Sequence, residues 1–148
     1  IAKVEEVDLE LLSAIGKRVT ELRHIFPNGV NVSFMKVVSP TEIYVATYER
    51  GAGVTPSCGT AMTSSATAAV LMGEVEADTI ISVCNRGGKV ECRTSVGEKI
   101  VTQLIGNATY INDGSISYDE VEGYSYQIDF EYEDEQQAYN KFVESIKH

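Results

Sequence analysis

Apolar positions recur along the chain with two spacings, and each spacing predicts a different kind of element. In DLELLSAIGKRVTELRHIF they lie three or four residues apart, which predicts an amphipathic helix with Asp8 as its N-cap. The segments VNVSFMKVVS and TEIYVATYER predict two strands joined by a turn at Ser39 and Pro40. We therefore expect the stretch from Tyr48 to Arg50 to close the second strand.

The second half of the chain continues the strand pattern and ends in a helix. TIISVCN and KVECRTS predict two strands around a hairpin turn at Gly87 and Gly88. EKIVTQLIGNATYIN and YSYQIDFEYE are also typical of strands, and DEQQAYNKFVESIKH predicts a final helix.

Between these parts lies CGTAMTSSATAAVLMG, which carries no charge over its sixteen residues and ends at Gly73, a natural helix C-cap. A helix without a charged face is typically buried on every side. Its small side chains also allow close backbone approach. We therefore expect an α+β fold in which a curved, mostly antiparallel sheet encloses this helix.

Charge and hydropathy narrow the function classes. The net charge of -10 argues against a nucleic-acid surface, which needs clustered Lys and Arg. Residues 117–148 carry -7 of that charge, which favours a solvated acidic face over an acidic recognition arm. No apolar run approaches the ~20 residues of a membrane span, and the first residues lack a signal-peptide pattern, so we expect a cytoplasmic protein.

Cysteine and histidine usage argues against a metal centre or a disulfide framework. Cys58, Cys84 and Cys92 form no CxxC pair, and His24 and His148 lie far apart in the sequence. We therefore expect no metal site. An odd number of cysteines in a cytoplasmic chain leaves room for one reactive thiol.

Cys58 is the candidate for that thiol, because it begins the uncharged helix. Backbone N–H groups of Gly59 and Thr60 and the helix dipole would lower the pKa of the thiol and bind a carboxylate. The guanidinium of Arg50 could bind a second carboxylate through two N–H groups, and the carboxylate of Glu49 could accept a hydrogen bond from an ammonium group. These residues together favour an amino-acid site, although such a cysteine is more often a small packing residue.

Four segments together resemble a known family. ERGAGVTPSCGT is similar to the second signature of the diaminopimelate epimerase family, and FPNGVNVSFMKV, NRGGKVECR and IGNATYINDGSI resemble other landmarks of that family in the same order. The resemblance covers residues 1–116. Residues 117–148 match no part of the family pattern and are expected to form an acidic extension, a strand plus a helix, packed on the same domain.

The resemblance implies a fold and a mechanism. The family has two similar halves, each an antiparallel sheet or barrel curled around a central helix, and this chain would be the C-terminal half, with an N-terminal half missing and a homodimer expected. Catalysis would need no cofactor, because Cys58 and a cysteine of the opposite half would act as two bases on an amino-acid substrate. The residues that match substrate-binding positions are Asn31, Glu49, Arg50, Gly59 and Thr60.

Two departures leave the substrate open. Val54 stands where the family usually has Glu, and Ala61 where it usually has Gly. The first hypothesis is interconversion of LL- and meso-diaminopimelate in lysine biosynthesis. The alternatives are an epimerase-like racemase of another amino acid such as histidine, and a non-catalytic binding module that acts through the acidic tail.

Overall fold

The computed structural model describes residues 1–146 and contains three helices and nine strands within them. The helices are α1 (Leu9–Glu21), α2 (Gly59–Leu71) and α3 (Glu133–Ser145). The strands are β1 (Ala2–Lys3), β2 (Val32–Ser39), β3 (Glu42–Glu49), β4 (Gly53–Thr55), β5 (Ile80–Asn85), β6 (Gly88–Val96), β7 (Ile100–Ile105), β8 (Asn112–Asp119) and β9 (Gly123–Glu131).

The chain forms two compact units, which divide after Gly106. The first unit contains strands β1 to β7, which form one sheet. The strand order is β1-β2-β3-β5-β6-β7, and β4 pairs with the part of β3 that does not pair with β5. Most neighbours are antiparallel, whereas β1 pairs with β2 and β3 pairs with β5 in parallel. A parallel pair needs a crossover connection. Here β4 and α2 form that crossover, so α2 lies against one face of the sheet.

Two hydrophobic clusters cover opposite faces of this sheet, because successive side chains of a strand point to opposite sides. On one face, Met35, Val45 and Val83 pack against α2 residues Met62 and Ala66. On the other face, Phe34, Ala46 and Tyr48 pack around Leu12 of α1. The first unit therefore has three layers, with the sheet between α1 and α2.

The predicted helices α1 and α2 are both present. Asp8 caps α1 by accepting hydrogen bonds from the N–H groups of Glu10 and Leu11, each at 2.9 Å. Gly73 follows α2 with a φ of 73°, as a C-terminal glycine does. The expectation that α2 is buried on every side was wrong, since Thr60, Ser64 and Leu71 are exposed. A single sheet covers only one side of a helix.

The strand predictions need three corrections. The segment EKIVTQLIGNATYIN was expected to be one strand, but β7 ends at Ile105 and β8 begins at Asn112 in the second sheet. Gly106 and Asn107 are turn-forming residues, and the chain leaves the first sheet there. The short strands β1 and β4 were not predicted, because two or three residues are too few to show alternation.

The second unit, residues 107–145, consists of the β8–β9 hairpin and α3. Aromatic side chains of this unit pack in pairs: Tyr118 lies against Tyr124 and Phe130 against Tyr132, each with 4.9 Å between ring centroids. The amide of Gln136 in α3 donates to the carbonyl of Ile111 at 3.0 Å. The division at Gly106 lies upstream of residue 116, the boundary predicted from the sequence. Packing of the acidic extension on the first unit stays a prediction.

Gly16 allows α1 to approach the sheet closely. A Cβ atom at this position would lie 2.2 Å from Cγ of Tyr48, far inside van der Waals contact. We expect Gly16→Ala to lower the free energy of unfolding by roughly 1–3 kcal/mol, because overpacking outweighs the better helix propensity of Ala. Urea denaturation followed by circular dichroism measures the change.

Gly97→Ala is the matched control, because a Cβ atom at Gly97 would have no neighbour within 4 Å. We expect it to change the free energy of unfolding by less than about 0.5 kcal/mol. Equal stability of the two variants would contradict the close contact between α1 and Tyr48.

Candidate active site around Cys58

Cys58 is the N-cap residue of α2. Its backbone is extended, with φ of -142° and ψ of 102°, and its carbonyl accepts the first helical hydrogen bond, from the N–H of Met62 at 2.9 Å. The side chain is half-buried. The sulfur therefore lies at the start of the helix without being sealed in the core.

Glu49 faces Cys58 because of the alternation along β3. Tyr48 packs on the α1 side, so its neighbour Glu49 points to the α2 side, where the helix begins at Cys58. The hydroxyl of Thr55 on the adjacent strand β4 donates to Oε1 of Glu49 at 2.5 Å. The carboxylate of Glu49 also interacts with the thiol of Cys58. A carboxylate, a hydroxyl and a thiol are thus grouped at one end of α2.

The pKa of the Cys58 thiol is raised, which is opposite to the prediction from the helix dipole. Burial is the largest cause, because removal from water disfavours the charged thiolate, and the carboxylate of Glu49 raises the pKa further. The N–H groups of Ala61 and Thr60 lower the pKa, but by less than burial and Glu49 together raise it. Cys58 is therefore a protonated thiol at neutral pH, next to a carboxylate acceptor.

Asn31 and Arg50 lie together beside the start of α2. The side chain of Asn31 accepts a hydrogen bond from the backbone N–H of Arg50 at 3.0 Å, and Nη1 of Arg50 donates to the carbonyl of Asn28 at 2.9 Å. A cavity of about 300 Å³ is lined by Asn31, Arg50, Thr60 and Ala61, among others. The cavity combines an amide, a guanidinium and the first turn of a helix.

The structure brings the six predicted site residues into two adjoining groups. One group consists of Cys58 and Glu49, and the other of Asn31 and Arg50 at the cavity. Thr60 joins them, because it lines the cavity while its N–H group acts on the Cys58 sulfur. Gly59 is exposed, and a Cβ atom there would lie 3.6 Å from Cδ1 of Leu104 on β7.

The two departures from the family pattern lie in different places. Val54 packs with the cluster on the α1 side of the sheet, away from the side that carries Glu49 and Cys58. Ala61 lines the cavity beside Arg50. Of these two residues, Ala61 lines the cavity and Val54 does not.

The other two cysteines are packing residues, as the sequence indicated. Cys84 is 2% exposed and Cys92 is fully buried. Burial raises the pKa of both thiols, which keeps them protonated. Among residues 1–146 no group of three or more His, Cys, Asp or Glu side chains could hold a metal ion. None of the helices in the same range is long and apolar enough to cross a membrane.

Sequence reasoning missed the residues that hold the predicted ones in place. Thr55 orients Glu49, and the carbonyl of Asn28 anchors the guanidinium of Arg50. Thr55 lies on the unpredicted strand β4, so its direction could not be derived. A backbone carbonyl is present at every residue, and no sequence pattern distinguishes the one at Asn28.

Comparisons with known proteins agree with the resemblance. The family model described as diaminopimelate epimerase matches residues 1–111. A diaminopimelate epimerase of Clostridium acetobutylicum is 41% identical over 148 residues, which cover 97% of this chain and 44% of that protein. One of Listeria welshimeri is 39% identical over 125 residues, covering 83% of this chain and 37% of that protein. The chain thus spans less than half the length of these relatives.

A solved structure supports the fold. The chain superposes on the crystal structure of the Bacillus anthracis phenazine biosynthesis protein of the PhzF family with a TM-score of 0.53 and 13% identity, over 77% of this chain and 34% of that one. The clostridial alignment also corrects one expectation. The acidic extension lies beyond the family model, but a coverage of 97% means that this relative has a counterpart of it.

We expect Glu49→Gln to lower the pKa of Cys58, because it removes a negative charge that disfavours the thiolate. More thiolate is then present at neutral pH, so iodoacetamide should alkylate Cys58 faster. The measurement is the rate of alkylation against pH, followed by mass spectrometry of the peptide that contains Cys58. Glu98→Gln removes the same charge from an exposed turn and serves as the control. Equal profiles for both variants would contradict the role of Glu49.

Proposed function

We propose, because the chain belongs to the diaminopimelate epimerase family, that it supplies one face of a cofactor-independent amino-acid epimerase. One observation carries the proposal: a half-buried thiol at the N-terminus of α2 beside the carboxylate of Glu49. Cys58 is then one of two bases, and a second cysteine on an opposite lobe is the other. We place this enzyme in the cytoplasm and expect a homodimer.

The chemistry follows from the state of the thiol. In one direction of reaction, the opposite base removes the α-proton and the Cys58 thiol delivers its own proton to the other face of the α-carbon. The sulfur is left as a thiolate, which the N–H groups of Thr60 and Ala61 stabilise. In the reverse direction that thiolate is the base. Inversion of the α-carbon results, since the proton leaves one face and arrives at the other.

The developing negative charge needs donors aimed at the α-carboxylate. The start of α2, at Gly59 and Thr60, offers backbone N–H groups for this carboxylate. An opposite lobe that covers the start of α2 would exclude water and strengthen these hydrogen bonds. We therefore assign the reacting end of the substrate to the start of α2.

The cavity between Arg50 and the helix supports a substrate with a second amino-acid end. A guanidinium carries five N–H donors. The Arg50 side chain, which donates to the Asn28 carbonyl through Nη1, can therefore still bind a carboxylate. Asn31 lines the same cavity and can orient a distal amino or carboxylate group. This combination favours diaminopimelate, in which two amino-acid ends are joined by a short chain, and its conversion from the LL to the meso form in lysine biosynthesis.

A racemase of another amino acid such as histidine is the second candidate. Ala61 favours it, because a methyl group lines the cavity where the family usually has Gly. A smaller cavity would suit a substrate with a different distal end.

Exchange of the α-proton with deuterated solvent tests the substrate. We expect the full-length protein to exchange it in LL- and meso-diaminopimelate and not in histidine, as measured by NMR. Cys58→Ala should reduce the rate of epimerisation between the LL and meso forms by about a hundredfold or more, because it removes the proton donor of one face. Cys84→Ala, in a buried residue without a site role, is the control. Exchange of histidine alone would reject diaminopimelate, and full activity of Cys58→Ala would reject the mechanism.

We further expect residues 1–148 by themselves to show no racemisation. A two-base reaction needs a donor on each face of the α-carbon, and the two remaining cysteines, Cys84 and Cys92, are buried in the sheet. Chiral chromatography of amino acids incubated with this polypeptide measures the outcome. Racemisation by this polypeptide would show that one lobe suffices.

A further inference from the structure

Asn85 is a buried polar residue that the proposed mechanism does not use. It ends β5, directly before the turn into β6, and is 4% exposed. A buried amide costs free energy unless it is hydrogen-bonded. Asn85 donates from Nδ2 to Oγ of Ser57 and to Sδ of Met62, each at 2.9 Å. Its Oδ1 accepts from the N–H of Gly87 at 2.9 Å.

The two partners of the amide nitrogen lie on either side of Cys58 in the sequence. Ser57 immediately precedes the cysteine, whereas Met62 lies in the first turn of α2 and donates its N–H to the Cys58 carbonyl. Ser57 and Met62 also contact each other, with 3.6 Å between Oγ and Sδ. One side chain thus ties together the segment that leads into Cys58 and the helix that leads out of it.

The turn after Asn85 holds the same segment through the backbone. The N–H of Gly87 donates to the carbonyl of Pro56 at 2.9 Å as well as to Asn85. A Cβ atom at Gly87 would lie 3.0 Å from Cβ of Ser57 and 3.1 Å from the Pro56 oxygen. The turn therefore packs directly on residues 56 and 57 and limits where Cys58 can lie.

We propose that Asn85 is a positioning residue that holds the Cys58 sulfur at the start of α2, facing Glu49. The proposal rests on the proposed function, in which Cys58 delivers a proton to the α-carbon. The N–H groups of Thr60 and Ala61 and the carboxylate of Glu49 act on the sulfur, and they keep their place relative to it only while the backbone on both sides of Cys58 is held. Asn85 is the side chain that bonds to both sides.

This role explains why an amide stands at the end of an otherwise apolar strand. An apolar side chain at the same place would leave the Ser57 hydroxyl and the Gly87 N–H without these bonds. The segment 56–57 could then move away from the turn, and the thiol would move away from Glu49. Displacement of a reacting group by about 1 Å can cost a large factor in rate, up to roughly a hundredfold.

The test uses Asn85→Leu, which has a similar shape and no hydrogen-bonding groups, in the full-length protein. The alkylation rate of Cys58 is measured against pH with iodoacetamide. We expect the midpoint to fall to lower pH, because burial and Glu49 both raise the pKa of the thiol and both lessen when the segment is released. For epimerisation we expect kcat to fall about tenfold to a hundredfold, with KM changed much less, since Asn31 and Arg50 lie on other segments.

Thr94→Val is the matched control, because it also removes a hydrogen bond of a buried side chain, to Thr102 at 3.0 Å, on the strand pair β6–β7, where Thr102 bonds to α2 at Thr67 and not at Cys58. It should leave the alkylation profile unchanged. Ser57→Ala, at an exposed residue, removes a hydrogen-bond partner of Asn85 without altering the core. If Asn85→Leu does not fold, this second variant tests whether Asn85 positions Cys58. We expect its profile to shift in the same direction.

Unchanged alkylation profiles in every folded variant at Asn85 and Ser57 would overturn the proposal. Alkylation needs no substrate, so this result is independent of the epimerase function. If no amino acid is epimerised by the unmodified protein, the function fails while the alkylation profiles still decide the role of Asn85.

Discussion

The position of β3 between two helices is the constraint on which the rest of the site depends. Because neighbouring side chains of a strand point to opposite faces, Tyr48 must pack under α1 if Glu49 is to face α2. A shift of one residue in register would exchange them and place a carboxylate in the apolar cluster around Leu12. The packing of α1 thereby orients the acidic group that interacts with the thiol.

The second determinant is the competition between burial and the helix dipole at Cys58. A helix N-terminus by itself stabilises a thiolate. Here the sulfur is partly removed from water and lies beside the negative charge of Glu49, and both effects favour the neutral thiol. The helix then contributes when the proton leaves, since Thr60 and Ala61 stabilise the thiolate that remains. A group with this balance is suited to donate a proton and to recover it.

Sequence reasoning predicted the features that depend on local pattern. The cap at Asp8, both helices of the first unit and the strands on either side of the turn at Pro40 follow from spacing and capping chemistry. Residue chemistry around the uncharged helix pointed to Cys58, Glu49, Arg50, Gly59 and Thr60, and the resemblance added Asn31. Neither could predict the sign of the pKa shift at Cys58, because burial depends on how distant segments pack. Asn85 was missed for the same reason, since its partners lie 23 and 28 residues away in sequence.

The architecture also explains why one lobe would supply one base. The sheet covers one side of α2, and the exposed residues Thr60 and Ser64 mark its open side. A substrate held by the start of α2, as proposed, would meet Cys58 on one face only, with its other face turned away from this sheet. The cysteines within the sheet cannot reach that face, because Cys84 and Cys92 are buried in the core. The proposed inversion of the α-carbon would thus require a second surface opposite α2, where the start of the helix is exposed.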